Sequence, residues 1–169
     1  MPTSPPRASR WFLPEPVPDE HVDAILEAAR WTGSARNRQP WRFAVVTDAA
    51  LRADLARLGG YAQHLAGAPL VIGIAVDERS GDDAHFDAGR AAQVLMGAAA
   101  ELGYGTCPAT LFPTANADEA AALAGLATPW RMRWALSVGR PAPAPAGSAG
   151  RPSAIPTGRL PLEEIVVRP

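Results

Sequence analysis

The sequence predicts a single domain that combines helices and strands. Its 169 residues are enough for one domain with its own hydrophobic core. Within residues 19–31, apolar residues recur at the spacing of one helix face, at Val22, Ile25, Leu26 and Ala29. Residues 68–77 instead form a continuous apolar run, which is typical of a strand that is buried on both faces.

The remaining elements follow from shorter patterns of the same two kinds. Strands are predicted at residues 42–47 and 130–139, where apolar residues alternate with polar ones or follow them directly. Helices are predicted at residues 51–58, 61–68 and 117–126, and residues 106–112 are either a short strand or a loop.

Residues 85–104 form the longest predicted helix. Apolar residues cover most of its circumference, so we expect it to be buried on nearly all sides, either in the core or at a subunit interface. Gly103 and Gly105 fit its C-terminal end.

Both ends of the domain, which we take as residues 1–169, are rich in proline. Residues 1–18 are predicted to be an extended arm, and residues 141–158 a semi-extended linker of Pro, Ala and Gly. The linker leads to residues 159–169, which we predict to be a docking strand. The linker is long enough for this strand to join the sheet of a partner subunit. A tail that folds back on its own domain fits the composition equally well.

Composition excludes several kinds of partner and chemistry. The net charge of -1 gives no general attraction to nucleic acid or to an anionic membrane. All 16 basic residues are Arg, which excludes lysine Schiff-base chemistry. The single cysteine, Cys107, cannot form an internal disulfide, and its apolar setting favours a buried thiol. Without a signal-peptide pattern or a membrane-spanning apolar run, we expect a cytoplasmic protein.

Familiar catalytic and metal-binding motifs are absent from the sequence. It has neither a P-loop nor the Gly-x-Ser-x-Gly motif of a nucleophilic serine. Its 3 histidines are far apart along the chain. The acidic residues at 82–87 fit the N-terminus of a helix better than a metal site, so no metal is predicted.

The stretch SARNRQPWRFAVV, residues 34–46, runs from hydrogen-bonding side chains directly into an apolar strand. Asn37 and Gln39 carry both donors and acceptors, which suits the edge of a heteroaromatic ring. Arg7, Arg10 and Arg159 lie where the chain leaves regular structure, and a planar guanidinium pairs well with phosphate. Together these groups suit flavin mononucleotide (FMN), although arginines in a solvated loop would give the same pattern.

These pieces occur in the order found in nitroreductase-like flavoproteins, a family that the chain resembles. The resemblance runs through residues 16–46, 87–108, 134–141 and 158–166, and its most specific motifs are SARNRQPW and LGYGTCP. It implies an α+β fold with a central antiparallel sheet flanked by helices, and a homodimer in which the C-terminal strand is exchanged. It further implies that FMN lies between subunits, that NADH or NADPH reduces it, and that a small-molecule acceptor then takes the electrons in a ping-pong reaction.

The resemblance also assigns cofactor-binding residues. Asn37 and Gln39 would face the flavin ring or its ribityl chain, and Arg159 would reach the phosphate. The dimethylbenzene or N5 side of the ring would lie against the backbone of Pro108, Ala109 and Thr110. No catalytic side chain is predicted, because the cofactor itself carries the hydride chemistry.

The N-terminal phosphate motif of the family is altered in this chain. If Arg7 and Ser9 occupy its first positions, Arg10 comes one residue early. If Arg10 sets the register instead, Pro6 and Ala8 stand in those positions. The candidate phosphate contacts of the arm are therefore Arg7, Ser9 and Arg10.

The leading hypothesis from the sequence is an FMN-dependent NAD(P)H oxidoreductase that reduces nitroaromatics, quinones or similar flat acceptors. Two alternatives stay open. One is a flavin-dependent dehydrogenase or oxidase of specialised metabolism, and the other is a non-catalytic relative that binds flavin weakly or not at all.

Overall fold

The computed structural model describes residues 8–146 and 158–168. Four strands form its sheet: β1 (Trp41–Val46), β2 (Leu70–Asp77), β3 (Gly105–Thr110) and β4 (Trp130–Gly139). The helices are α1 (Asp19–Arg30), α2 (Ala49–Arg57), α3 (His64–Gly67), α4 (Asp83–Glu101), α5 (Asn116–Leu123) and α6 (Leu162–Ile165). Among the residues described, no helix is long and apolar enough to cross a membrane.

The sheet has the strand order β1-β2-β4-β3, and all of its pairs are antiparallel. β1 and β3 are therefore the outer strands, with β2 and β4 between them. This architecture confirms the predicted α+β fold with a central antiparallel sheet. It also settles the open question at residues 106–112, because most of that segment forms β3.

Alternate residues of the buried strand β2 point to two separate cores. Leu70, Ile72 and Ile74 pack with α1 and α4 on one face of the sheet. Val71 and Ala75 pack with α2, α3 and α5 on the other face. The continuous apolar run of β2 is thus required by a sheet that is covered on both sides.

Apart from the C-terminal segment, the predicted helices and strands occur in the structure and differ from it only in length. The helix predicted at residues 61–68 is reduced to the four residues of α3. Pro69 explains its early end, because the residue before a proline is disfavoured in the helical region, and Ala68 is indeed extended with ψ of 142°.

The prediction that the long helix is buried on nearly all sides is wrong for the single chain. In α4, Ala84, Ala88 and Leu95 face the core, but Phe86 on the outer face is 70% exposed. The physical reason is that the two-layered packing of the sheet covers only one side of the helix. The alternative of burial at a subunit interface stays a prediction.

The prediction of a docking strand at residues 159–169 is also not what the structure has. Residues 162–165 form the short helix α6, and the described part of this segment, residues 159–168, pairs with no strand. Pro161 and the acidic pair Glu163 and Glu164 favour the start of a helix. Most of the linker, residues 147–157, lies outside the described residues, as does Arg7 in the arm.

Candidate functional site

The N-terminal arm lies along the free edge of β3. The backbone N–H of Ser9 donates to the carbonyl of Thr106 at 2.8 Å. Further along, the N–H of Leu13 donates to the carbonyl of Arg140 at 2.9 Å. The contact is close: a methyl group on Gly105 would collide with the Ser9 hydroxyl. Glycine at this position therefore allows the arm to lie directly on the strand.

An open cleft of about 1020 Å³ lies between the arm, the α3 region, β3 and the chain after β4. Its polar side chains include Arg10, Gln63 and His64. The rest of the lining is largely apolar and aromatic, and comprises Trp11, Phe12, Gly60, Tyr61, Gly67, Cys107, Pro108, Ala109, Thr110, Phe112, Ala142, Pro143 and Pro145. Apolar walls with a few polar groups are typical of small-molecule sites.

Three aromatic side chains of the cleft expose much of their surface. Tyr61 is 93% exposed, Phe112 is 64% exposed and Trp11 is 45% exposed. Flat aromatic surfaces that face the same opening suit a flat ligand, since stacking buries apolar area on both partners. The cleft therefore combines a surface for a ring system with the guanidinium of Arg10.

A chain of hydrogen bonds forms the polar wall of the cleft. His64 Nδ1 lies 2.9 Å from the hydroxyl of Ser137, and that hydroxyl donates to the carbonyl of Cys107 at 3.2 Å. Ser137 is completely buried in β4. Burial lowers the pKa of His64, and the charge of Arg10 lowers it further, so both favour the neutral imidazole. Burial raises the pKa of Cys107, which is therefore a thiol.

The loop of residues 34–39 forms a second polar region, ahead of β1. Arg36, Asn37 and Gln39 have φ of 53°, 54° and 50°, in the left-handed region that costs non-glycine residues about 1 kcal/mol or more each. Gln39 compensates in part, because its backbone N–H donates to Ser34 Oγ at 2.8 Å and its side-chain amide to Asn37 Oδ1 at 3.2 Å. Three strained residues in one loop indicate a functional constraint.

Helix α4 holds this loop in place. The buried carboxylate of Asp87 accepts a hydrogen bond from the backbone N–H of Ala35 at 2.8 Å. One turn further, Arg90 donates to the carbonyl of Gly33 at 2.8 Å. The loop conformation thus depends on two side chains of a helix that lies far from it in sequence.

The structure brings together only part of the predicted cofactor-binding set. Arg10, Pro108, Ala109 and Thr110 line the cleft, and Ser9 lies next to it on Gly105. Asn37 and Gln39 are exposed in the loop before β1, at the opposite edge of the sheet. Three strand spacings separate β1 from β3, which is roughly 14 Å.

Arg159 is not part of the cleft either. It is exposed, and its guanidinium donates to the carbonyl of Gly158 at 2.7 Å. Arg7 lies outside the described residues. In residues 8–146 and 158–168, no three His, Cys, Asp or Glu side chains are grouped so that they could hold a metal ion.

Sequence reasoning missed His64 and Ser137. The pattern of residues 61–68 predicts only a helix, and Ser137 stands within an alternating strand pattern. The pair is separated by 73 positions and meets only because α3 packs against β4. The available signal was a histidine at the start of a short helix between glycines and a buried strand.

The sequence is similar to that of known proteins over part of its length. The family model of the nitroreductase family matches residues 7–58 and 56–140. A chloronitrobenzene nitroreductase of Comamonas testosteroni is 47% identical over 55 residues, which cover 28% of this chain and 24% of that protein. An NADH dehydrogenase of Thermus thermophilus is 38% identical over 71 residues, which cover 42% of this chain and 35% of that protein. The matches thus span well under half the length of these relatives.

Solved structures cover more of the chain. An FMN-dependent nitroreductase of Clostridium difficile R20291 superposes with a TM-score of 0.75 at 26% identity, covering 83% of this chain and 86% of that chain. A nitroreductase family protein of Streptococcus pneumoniae TIGR4 has a TM-score of 0.78 at 21% identity, covering 97% of this chain and 96% of that chain. The second likeness concerns the fold alone.

Proposed function

This chain belongs to the nitroreductase family, and we propose that it is an oxidoreductase that binds FMN and takes its electrons from NADH or NADPH. The observation that carries this proposal is the cleft beside β3, where Arg10 stands next to exposed aromatic walls. The similar nitroreductase of Clostridium difficile is named as FMN-dependent, which supports the choice of cofactor.

The residues of the cleft fit the chemistry of FMN. Arg10 supplies a guanidinium for a phosphate, and the hydroxyl of Ser9 lies on the neighbouring backbone. The backbone of β3 at Pro108, Ala109 and Thr110 forms one wall, along which a flat ring can lie. When bound, FMN supplies the hydride chemistry, and the protein supplies position and electrostatics.

We propose that a complete site needs two subunits. Asn37 and Gln39 do not reach the cleft of their own chain, because their loop precedes the other outer strand, β1, and is bonded to α4. In a symmetric dimer, the loop of one subunit can lie at the cleft of its partner. The exposed outer face of α4, including Phe86, supports an interface on that side.

The C-terminal segment has a corresponding role in this proposal. Its apolar side chains Leu160, Leu162 and Val167 are exposed on the single chain. We propose that this segment crosses to the partner subunit and brings Arg159 to the phosphate there. In that position its apolar residues are covered, which removes surface that a lone subunit leaves in water.

Each subunit then contributes a defined function to the reaction. Arg10, Ser9 and Arg159 bind the phosphate, and the loop with Asn37 and Gln39 orients the ring edge. The aromatic walls exclude water and leave room for nitroaromatics, quinones or similar flat acceptors. The acceptor binds in the same cleft after the nicotinamide has left, which gives a ping-pong reaction.

Absorption spectroscopy of the purified protein tests this proposal. The protein is titrated with FMN, and NADPH or NADH is then added under nitrogen. We expect a bound flavin spectrum that bleaches with either nicotinamide and returns when a quinone is added. A bound flavin that never bleaches would instead favour a substrate-oxidising dehydrogenase or oxidase, and a protein that ignores FMN would reject the cofactor assignment.

A set of arginine variants tests the phosphate assignment separately. Arg7→Ala, Arg10→Ala and Arg159→Ala are compared by flavin fluorescence titration. If the Arg7 variant loses FMN affinity, Arg7 sets the register of the arm. If only the Arg10 variant loses affinity, Arg10 sets it. Unchanged FMN binding in all three variants would contradict the phosphate site.

A further inference from the structure

His64 occupies a defined place in the wall of the cleft. It is the first residue of α3 and is half-buried, and its ring lines the cleft together with Arg10. Its Nδ1 is engaged by Ser137 at 2.9 Å, inside the wall. No hydrogen bond of Nε2, on the other edge of the ring, is found within the described residues, so we take this nitrogen as the one available to the cleft.

The hydrogen-bond chain favours one tautomer of His64. The carbonyl of Cys107 can only accept, so we assign the single hydroxyl hydrogen of Ser137 to that carbonyl at 3.2 Å. With this assignment the hydroxyl oxygen accepts from Nδ1 of His64 at 2.9 Å, and Nε2 of the neutral ring is a lone-pair acceptor.

The charged and titratable groups around His64 are few. The arm contributes Arg10, and β3 contributes the thiol of Cys107. Helix α2 contributes Arg52, which is engaged with the carbonyl of Ala68 at the other end of α3. Tyr61 lies in the turn before α3 and faces the same cleft. In the free protein the nearby positive charge of Arg10 therefore opposes a second positive charge on the ring.

We propose that His64 is a ligand-sensing base: it is neutral in the free protein and takes up a proton at Nε2 when an anionic group binds beside Arg10. The anion offsets the guanidinium charge and attracts the imidazolium, so both effects favour protonation. Once protonated, His64 donates from Nε2 while Nδ1 keeps its bond to Ser137. No other bond is formed or broken, and the proton comes from solvent.

The inference rests on the proposed function in that the anion is taken to belong to FMN. The negative charge then has two possible sources. It can be the phosphate, which is present in every state of the cofactor, or the flavin ring, which gains negative charge only on reduction. Both sources use the same chemistry at His64, and the experiment separates them.

Nitrogen NMR of the histidine rings tests the inference directly. The chain has 3 histidines, and the variants His21→Gln, His64→Gln and His85→Gln assign their signals. In the free protein at neutral pH we expect His64 to carry its hydrogen on Nδ1. The variant Ser137→Ala should shift it toward the other tautomer. A neutral His64 with its hydrogen on Nε2 would overturn the inference at this first step.

Ligand titrations then test the proton uptake. The pKa of His64 is followed with sulfate, with oxidised FMN, and with riboflavin before and after reduction by dithionite. A dithionite sample without flavin is the control. We expect the pKa to rise on anion binding, so that the anion binds the protonated form about tenfold more tightly than the neutral form.

The separate titrations identify the source of the negative charge. A response to sulfate and oxidised FMN, but not to oxidised riboflavin, places the phosphate beside His64. A response only to the reduced flavins places the ring there. If the absorbance of FMN shows that it binds, and the pKa of His64 changes in none of the titrations, the inference fails and the proposed function stands. If FMN does not bind but sulfate moves the His64 signal, the proposed function fails and the inference stands. Silence in every arm together with no FMN binding overturns both.

Discussion

The cleft beside β3 and the loop of residues 34–39 are assembled in different ways. The cleft collects its lining from the arm, the α3 region, β3 and the chain after β4, which are distant in sequence. The loop is six consecutive residues with left-handed backbone at Arg36, Asn37 and Gln39. Its conformation is held from outside by Asp87 and Arg90 of α4.

This difference has consequences for how each region tolerates mutation. Side chains of the cleft, such as Arg10, stand on a frame of strand and arm hydrogen bonds that does not depend on them. In the loop, the side chains that we propose to contact the ligand belong to Asn37 and Gln39, whose backbone is itself strained. A substitution in the cleft should therefore remove a contact and leave the frame. A substitution behind the loop should change the position of Asn37 and Gln39 without touching them.

The largest effect is expected from Arg10→Ala. Loss of one charge-assisted contact to a phosphate costs about 2–3 kcal/mol, so FMN affinity should fall by roughly a hundredfold. The measurement is flavin fluorescence titration, with circular dichroism to check the fold. Arg57→Ala is the matched control, because Arg57 is exposed on α2 and pairs with Asp54. Equal FMN affinities of the Arg10 and Arg57 variants would show that the phosphate does not bind beside Arg10.

A smaller effect is expected from Asp87→Ala. Removal of the buried carboxylate leaves the N–H of Ala35 without its acceptor, which costs about 1–3 kcal/mol. We expect lower thermal stability and a fall in FMN affinity of about tenfold, because the loop relaxes from its strained conformation. Asp87→Asn should restore most of the affinity, since its amide oxygen can accept the same bond.

The matched control for this variant is Glu101→Ala, an exposed acidic residue at the end of the same helix. If Asp87→Ala lowers stability and leaves FMN affinity unchanged, α4 does not position the loop for the ligand. The expectation that a substitution behind the loop changes FMN binding would then be wrong.

The smallest effect concerns pH and separates the cleft from the rest of the molecule. The pKa of His64 is lowered in the folded protein, first by burial and then by Arg10. Below a pH of about 6.5, the ordinary pKa of histidine, His64 therefore binds a proton more readily in the unfolded chain than in the folded protein. The free energy of unfolding should fall modestly as the pH drops from about 7 to about 5. Urea denaturation at several pH values measures this slope, which should be shallower in His64→Gln, and an unchanged slope in that variant would contradict the assignment.

How much of this could be predicted from sequence depends on the range of the interactions. The helix face of α1 and the apolar run of β2 are local patterns, and both predictions are confirmed. The polar stretch before β1 is unusual in the sequence, and the structure adds a strained backbone there, but its role as a ligand site stays a prediction. The bond between His64 and Ser137 depends on the packing of α3 on β4, which no local pattern encodes.

One wrong prediction and one open prediction have the same physical origin. Residues 159–169 were expected to form a docking strand, and the long helix was expected to be buried on nearly all sides, in the core or at a subunit interface. Both expectations treat apolar residues as covered, but the single chain leaves Phe86 and Leu162 in solvent. Composition tells which residues favour burial and not which chain buries them. A site divided between two subunits is consistent with both observations.

The central claim, that the cleft of one subunit and the loop of its partner form one binding site, is tested most directly by mixed dimers. Arg10→Ala subunits with one affinity tag are co-expressed with Asn37→Ala subunits with another, and dimers that carry both tags are isolated. FMN is supplied at a concentration that saturates the unmodified protein but leaves both variant homodimers largely without FMN. A shared site predicts about one FMN per mixed dimer, because one site keeps both residues and the other lacks both. Mixed dimers that bind no FMN, or subunits that never form them, would contradict the account.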